Sequence, residues 1–359
     1  MLSREEILEV LSEYDLKDLS IATLGSHTAL HILKGAKEEG LRSVVVCEEG
    51  RTTPYERLGV ADEIIVVESF QDMLDEEVQE RLRELNAIVV PHGSFVAYVG
   101  LDGIENEFCV PIFGNRRLLR WESERYLERK LLERAGVKVP KVFDSPEDID
   151  RPVIVKFPGA RGGRGYFICS DSEEFEEKAE RLIEDGVIDE EDLEQAHIEE
   201  YVVGTNFCVH YFRSVVEDTV EVLGMDRRYE TNIDGLVRMP ASDQLESGLE
   251  PSYVISGNIP VVVRESLLVQ LYEMGDRVVR ASEDIEEPGF IGPFCLQTLC
   301  TENLEFYVFE LSARIDGGTN VTFLPYAYLK FGEIVTMGRR IAKEVREARD
   351  KGLLEDVVT

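Results

Sequence analysis

Short apolar runs at residues 20–24, 43–47, 64–67, 87–91 and 110–113 recur through the first third of the chain, and this rhythm narrows the possible folds more than any other feature. Stretches of helical spacing, residues 28–37 and 72–85 among them, stand between the runs. Strands separated by helices are joined by crossovers rather than hairpins, so they lie parallel with helices on the sheet faces. Crossovers of this kind are right-handed as a rule. Residues 1–120 are therefore expected to form an open, Rossmann-like parallel sheet, with its ligand side at the carboxyl ends of the strands.

From residue 114 to 135 the pattern turns charged and helical. Leu127, Leu131 and Leu132 recur at helical spacing and Gly136 ends the run. After Pro140 a second strand-rich region begins, with strands expected at 153–157, 198–203, 220–223, 261–263 and 306–311. Helices are expected at 173–185, 265–283 and 333–351. No internal repeat or low-complexity linker intervenes, so close packing with clefts between the units is expected.

A formal net charge of -33 disfavours nucleic-acid backbones and anionic membranes as partners. It also suits concentrated salt, where screening relieves self-repulsion. Against this background, local islands of positive charge carry information. No apolar run approaches the ~18 residues of a membrane span. The N-terminal MLSREEILEVLSEYDLKDLS is amphipathic, without the apolar centre of a secretory signal. The six cysteines are scattered without a C-x-x-C pair, which reads as reduced, buried thiols. A cytoplasmic protein is expected.

The strongest local signal is VIVKFPGARGGRGYF, residues 153–167. Lys156 interrupts an apolar strand, where a cation is costly to bury unless an anion meets it. Gly159, Gly162, Gly163 and Gly165 follow, residues whose backbone N–H groups can converge on phosphate oxygens. Arg161 and Arg164 add charge. The pattern reads as a phosphate-covering lid with Lys156 beneath it, and it differs from a P-loop because no Gly-Lys-Ser/Thr opens a helix. A second signal, HIEEYVVGTNFC, puts Glu199, Glu200 and Val202 before Gly204 at a hinge suited to adenine and ribose. A third, NLEFYVFELSARIDGGTN, puts Glu310 on a strand flanked by Phe309 and Leu311, with Gln297 of GPFCLQT on the adjacent strand. Mg²⁺ typically takes one or two protein carboxylates with phosphate oxygens, and a neutral amide can complete the set. Gly25-Ser26-His27 sits between a strand and a helix, where backbone N–H groups receive phosphate. Ser94 lies at the carboxyl end of another strand. His31, His197 and His210 read as structural, and His92 leaves both readings open.

The three signals stand in the order of the ATP-grasp superfamily. More closely, the chain resembles the archaeal formate-dependent 5-formaminoimidazole-4-carboxamide ribonucleotide synthetases of purine biosynthesis. The resemblance covers essentially the whole chain and rests on IATLGSHTALHILKGAK, VVPHGSF, FGNRRLLRWESER, VIVKFPGARGGRGYF, HIEEYVVGTNFCVHY, NIDGLVR, SGNIPVV and IGPFCLQ. It implies an α/β fold in three parts: a pre-ATP-grasp substrate-binding domain (1–120), then a two-lobed α+β ATP-grasp domain. Its small lobe (121–200) would carry the lid and its large lobe (201–359) the metal site.

The resemblance also implies an activity: ATP- and formate-dependent formylation of 5-aminoimidazole-4-carboxamide ribonucleotide (AICAR) to FAICAR through formyl phosphate, releasing ADP and phosphate. Lys156, Arg161, Gly162, Gly163 and Gly165 would hold the ATP phosphates. Glu199, Glu200, Val202 and Glu230 would line adenine and ribose, and Gln297 and Glu310 would bind Mg²⁺ or Mn²⁺. Gly25, Ser26, His27, Ser94, Asn258, Thr319 and Asn320 would meet the substrate nucleotide. Arg314, a permanent cation, would stabilise formyl phosphate and the tetrahedral intermediate. A homo-oligomer, trimer or hexamer, is implied as well. The nearest alternative is another carboxylate–amine ligase on this scaffold, since Thr322-Phe323-Leu324 is bulkier than the small-residue turn expected there. Gln297 and Ser312 also stand where many superfamily members carry an acid and an asparagine. Retention of Lys156, Glu230 and Glu310 argues against a catalytically silent nucleotide sensor.

Overall fold

In the computed structural model, β1 (Ser20–Leu24), β2 (Arg42–Glu48), β3 (Glu63–Val67) and β4 (Ala87–Val89) form a parallel sheet in the order β3-β2-β1-β4. The model describes residues 2–157, 166–249, 251–252, 254–320 and 323–359. The lid residues Arg161, Gly162, Gly163 and Gly165, the side chain of Asn320, and Val321 and Thr322 lie outside the described residues. All of β1 is buried, as expected of an apolar run covered on both faces. The chain runs outward from β1 to β3 and then returns to pair β4 with the other side of β1. That reversal opens a crevice at the carboxyl ends of β1 and β4, the usual ligand position in open α/β sheets.

The expected fifth strand at 110–113 makes only isolated bridges, from Ile112 to Val89 and from Phe113 to Val358. The chain's own end takes its outer side, with Ile112 and Thr359 exchanging both backbone hydrogen bonds at 3.0 Å. The charged helical segment also differs from expectation. It is two helices, Leu118–Ser123 and Arg125–Arg134, separated by Glu124 in an extended conformation.

Two antiparallel sheets follow. The smaller, in the order β5-β8-β6-β7, joins β5 (Val142–Phe143), β6 (Val153–Lys156), β7 (Tyr166–Cys169) and β8 (His197–Glu200). The larger, in the order β11-β10-β9-β12-β13, joins β9 (Thr205–Ser214), β10 (Thr219–Glu230), β11 (Ile255–Val261), β12 (Gly292–Cys300) and β13 (Phe306–Ser312). Alternation gives the larger sheet two unlike faces. Tyr211, Phe294 and Leu296 pack against Leu271 and Val278 of the helix Leu268–Ile285. Tyr211 and Phe294 stack at 4.8 Å between ring centroids. The residues between them, His210, Cys295 and Gln297, point to the opposite face.

The parallel sheet is fastened to the rest by the helices Ala29–Glu38 and Met337–Lys351. They cross where neither has a side chain: a Cβ on Gly338 would lie 2.1 Å from the His31 carbonyl oxygen, and one on Gly35 would lie 2.3 Å from Gly338. Both backbones are in contact, so a methyl group has nowhere to go except by parting the helices. Gly338→Ala is therefore expected to lose about 1–3 kcal/mol of stability, read as a lower urea midpoint at unchanged slope. An unmoved midpoint would show that the seam does not depend on this contact.

Candidate active site

Lys156 emerges from an otherwise apolar β6 at the wall of a cleft of ≈ 800 Å³, which Glu199 and His197 of β8 and Glu310 of β13 also line. Its Nζ lies 2.6 Å from Glu199 Oε2, so the cation expected from the sequence is met by a carboxylate one strand away. Glu310 faces the same cleft, and Gln297 is its register partner on β12. Paired residues of an antiparallel ladder project from the same face. The Gln297 amide nitrogen is buried without a hydrogen-bond partner among the described residues. An unsatisfied amide beside a carboxylate fits a divalent-ion site of oxygen donors, with the amide turned to offer its oxygen.

The broken helix supplies two further acids. Glu122 Oε2 accepts from the Ala313 N–H at 2.7 Å, and Glu128 accepts from the Leu311 N–H. Both line the cleft. Burial pushes the Glu128 carboxyl up to about 8, and the nearby charges of Glu310 and Glu122 act in the same direction. Burial also raises Glu122, against the pull of Arg314.

A second cavity, ≈ 520 Å³, lies at the crevice of the parallel sheet, lined by His27, Arg228, Asn258, Asp316 and Gly318 among others. Asn258 Nδ2 donates to Asp226 Oδ2 at 2.6 Å, and Asp226 Oδ1 lies 2.7 Å from His210 Nε2. A Cβ on Gly318 would fall 1.9 Å from Asp226 Oδ1, so only glycine lets this turn lie against the carboxylate. Arg228 reaches Asp316 at 3.4 Å. Burial alone would raise Asp316, yet Arg228 and Arg314 hold its carboxyl well below the usual range.

Arg314 stands between the two cavities. Its Nη2 pairs with Glu122 Oε1 at 2.7 Å and its Nη1 lies 3.5 Å from Asp316 Oδ1, while its Nε is buried without a hydrogen-bond partner among the described residues. Position 93 has no side chain beside it: a Cβ there would lie 3.2 Å from Arg314 Nη2 and 3.4 Å from His27 Nε2.

Ser26 and Ser94 meet at 3.0 Å across the crevice, and Gly25 packs against Cys47 and Tyr55. His27 stacks on His92 with centroids 5.4 Å apart. His92 is buried, its Nε2 donating to the Leu24 carbonyl and its Nδ1 accepting from the Ser94 N–H, so both ring nitrogens are occupied within the fold. Other expected residues stand outside both cavity walls. Glu200 accepts from the Lys141 N–H and pairs with Arg151, and Val202 and Glu230 line neither cavity. The Thr319 hydroxyl donates to the Asp316 carbonyl within its own turn. Leu324 of the bulky segment is buried against Gly224. Sequence reasoning passed over Glu122, Glu128, Asp226, Arg228 and the loop carboxylate Asp316. The alternation Asp226–Arg228 within β10 is the signal that would have found two of them.

Burial pushes the two stacked histidines down. His92 falls to about 3, with His27 as the next cause. His27 falls to about 4 although its ring opens to the cavity, because the surrounding walls strip it of water and Arg314 adds repulsion. The unfolded chain takes up these protons near the ordinary histidine value and the folded chain only far lower. Both residues therefore withdraw stability as pH falls from about 6.5 toward 4. Their imidazole NMR shifts are expected to stay those of the neutral ring down to about pH 5, where an ordinary histidine is mostly protonated. Titration of either near its ordinary value would contradict this geometry.

Two family models match the chain: "Domain of unknown function (DUF1297)" over residues 174–359 and "Protein of unknown function (DUF1246)" over residues 21–143. The chain is 97% identical over 359 residues to the 5-formaminoimidazole-4-carboxamide-1-(beta)-D-ribofuranosyl 5'-monophosphate synthetase of Methanopyrus kandleri, covering 100% of both chains. It is 61% identical to the protein of the same name from Methanocaldococcus jannaschii, again over 100% of both. Among solved structures, the IMP biosynthesis protein PurP from Thermococcus kodakaraensis aligns with TM-score 0.75 and 34% identity, over 94% of this chain and 100% of that one. An ADP complex of N5-carboxyaminoimidazole ribonucleotide synthetase aligns with TM-score 0.63 at 16% identity, over 93% of this chain and 77% of that one. That last likeness is one of fold, the ATP-grasp fold expected from the order of the motifs.

Proposed function

The chain belongs to the family of archaeal 5-formaminoimidazole-4-carboxamide ribonucleotide synthetases, and from that premise we propose that it formylates AICAR with formate and ATP, a step of IMP biosynthesis. One observation carries the reading at the level of residues. Lys156 and Glu310 share one cleft, and Arg314 joins that cleft to the cavity at the crevice of the parallel sheet.

ATP occupies the larger cleft, with its phosphates toward Lys156 and its adenosine toward Glu199, while Glu200, Val202 and Glu230, which stand outside the cleft wall in this structure, border the bound nucleotide. Arg161, Gly162, Gly163 and Gly165 cover the phosphates and exclude water. Gln297 and Glu310 hold Mg²⁺ or Mn²⁺, which neutralises phosphate charge when bound. AICAR lies in the second cavity against His27 and Asn258, its phosphate toward Gly25, Ser26 and Ser94, with Thr319 and Asn320 forming the turn beside it.

Formate is resonance-stabilised and has no leaving group. A formate oxygen takes the γ-phosphoryl group of ATP, giving ADP and formyl phosphate. The amine nitrogen of AICAR attacks the formyl carbon, the C–N bond forms, the C–O bond to phosphate breaks, and the nitrogen loses a proton. Such chemistry is governed by positioning and charge neutralisation. Lys156 meets the phosphates, and Arg314, fixed by Glu122 and Asp316, meets the formyl group between the two cavities. No described helix is long and apolar enough to cross a membrane; the cytoplasmic site of action rests on the family's role in purine biosynthesis. Exposed Tyr328 and Leu329 offer an apolar surface for self-association, and the resemblance is what points to a trimer or hexamer.

ADP release is expected to require both formate and AICAR, with acetate failing to replace formate. Lys156→Ala and Glu310→Ala are each expected to lower turnover by about 10²–10³ or more. ADP release at the full rate without AICAR, or either variant working normally, would refute the assignment.

A further inference from the structure

The polar face of the larger sheet carries a cluster of which formylation, as proposed above, uses only Asp316, through its pairing with Arg314. His210 on β9 and Cys295 on β12 are register partners, and Asp316 reaches them from the loop after β13. A donor atom from each lies within 4.8 Å of the other two, and all three residues are buried. Imidazole, thiol and carboxylate together form a mixed N, S and O donor set.

His210 is oriented as a ligand would be. Its Nε2 lies 2.7 Å from Asp226 Oδ1, and Asp226 is itself fully buried. The carboxylate fixes the proton on Nε2, so Nδ1 presents a lone pair. That Nδ1 is buried with no hydrogen-bond partner among the described residues. An unsatisfied buried acceptor is destabilising unless something fills the position. A histidine whose second nitrogen is held by a carboxylate is also the usual state of a metal-bound imidazole.

We propose that His210, Cys295 and Asp316 form a site for a divalent cation of the zinc class, bound by His210 through Nδ1 with Asp226 as its supporting carboxylate. The donor set favours Zn²⁺ and Co²⁺ over Mg²⁺, which takes oxygen ligands. Metal–ligand bonds of about 2.0–2.3 Å place tetrahedral ligand atoms roughly 3.5 Å apart. The three donors, within 4.8 Å of one another, therefore close by up to about 1.3 Å, a movement within reach of side-chain rotation. Cys295 binds as the thiolate and its proton leaves to solvent. Arg228 and Arg314 keep Asp316 ionised as an oxygen donor, and the thiolate, Asp316 and Asp226 balance the added charge. Three protein ligands leave one coordination position, and Asp316 is the ligand that also lines the AICAR-side cavity. This site is distinct from the oxygen-donor pair Gln297 and Glu310.

The test uses full-length protein stripped of metal by a chelator and then titrated with Co²⁺. One Co²⁺ is expected per chain, with near-ultraviolet thiolate-to-cobalt absorption that Zn²⁺ abolishes and Mg²⁺ does not. Cys295→Ser is expected to remove that absorption, and Asp226→Asn to weaken uptake by about 10–100-fold. Absence of saturable Co²⁺ and Zn²⁺ uptake by the unaltered protein would overturn the proposal even if every variant failed to fold. Unchanged cobalt absorption in Cys295→Ser would overturn it too. Metal uptake is read without any turnover, so failure of the AICAR assay and failure of this proposal are separate results.

Discussion

The pairing of Arg314 with Glu122 on one side and Asp316 on the other holds the two halves of the site in register. A buried guanidinium without partners would be prohibitive, and a buried carboxylate without partners nearly so. Here each charge answers another: Glu122 to Arg314, Arg314 to Asp316, and Asp316 to Arg228. The four residues come from three elements: Glu122 from the short helix Leu118–Ser123, Arg314 and Asp316 from the loop after β13, and Arg228 from β10. Their pairing ties the helical segment to the large sheet and that sheet to the crevice of the parallel domain. The break at Glu124 serves the same end, letting Glu122 and Glu128 reach successive outward N–H groups, those of Ala313 and Leu311.

The large sheet makes this possible because its two faces do different work. One is closed by the helix Leu268–Ile285 and the stacked rings of Tyr211, Phe290 and Phe294. That packing fixes the strands, and the strands fix the polar face in turn, because a slip of one residue would exchange the two. Asp226 shows the outcome. Fully buried, it holds Asn258 with one oxygen and His210 with the other, so a residue touching neither cavity wall sets the geometry of one that does.

Much of this was readable beforehand, for definable reasons. Lys156 announced itself because a charge inside an apolar strand needs a local explanation, and Glu199 is that explanation. Gln297 and Glu310 could be paired because each lies in a strand whose alternation is clear. Gly25, Ser26, His27 and Ser94 could be brought together because two parallel strands on either side of a reversal must end at the same crevice. What stayed hidden depends on distant partners. The run 110–113 looks like any other apolar strand, and nothing local says that Thr359 will border it. Glu122 and Glu128 lie in a helical segment dense with charge, where acids ordinarily face water. Their role appears only when β13 passes beside them.

The charge distribution gives the cavities their character. A chain with net charge -33 repels anions at long range, yet the proposed ligands, a nucleoside triphosphate, a nucleotide and formate, are all anions. The cations Lys156, Arg228 and Arg314 resolve this: Lys156 and Arg228 line the cavities, Arg314 stands between them, and each is already paired with a carboxylate. Glu199, Asp316 and Glu122 thus do for the protein alone what an anionic ligand does in the complex: they keep a desolvated cation from standing unpaired. Binding becomes an exchange of one anion for another at short range, where the local dielectric is low, while salt screens the acidic exterior over distances beyond about 10 Å. Such a site gains from high ionic strength outside and loses little from it within.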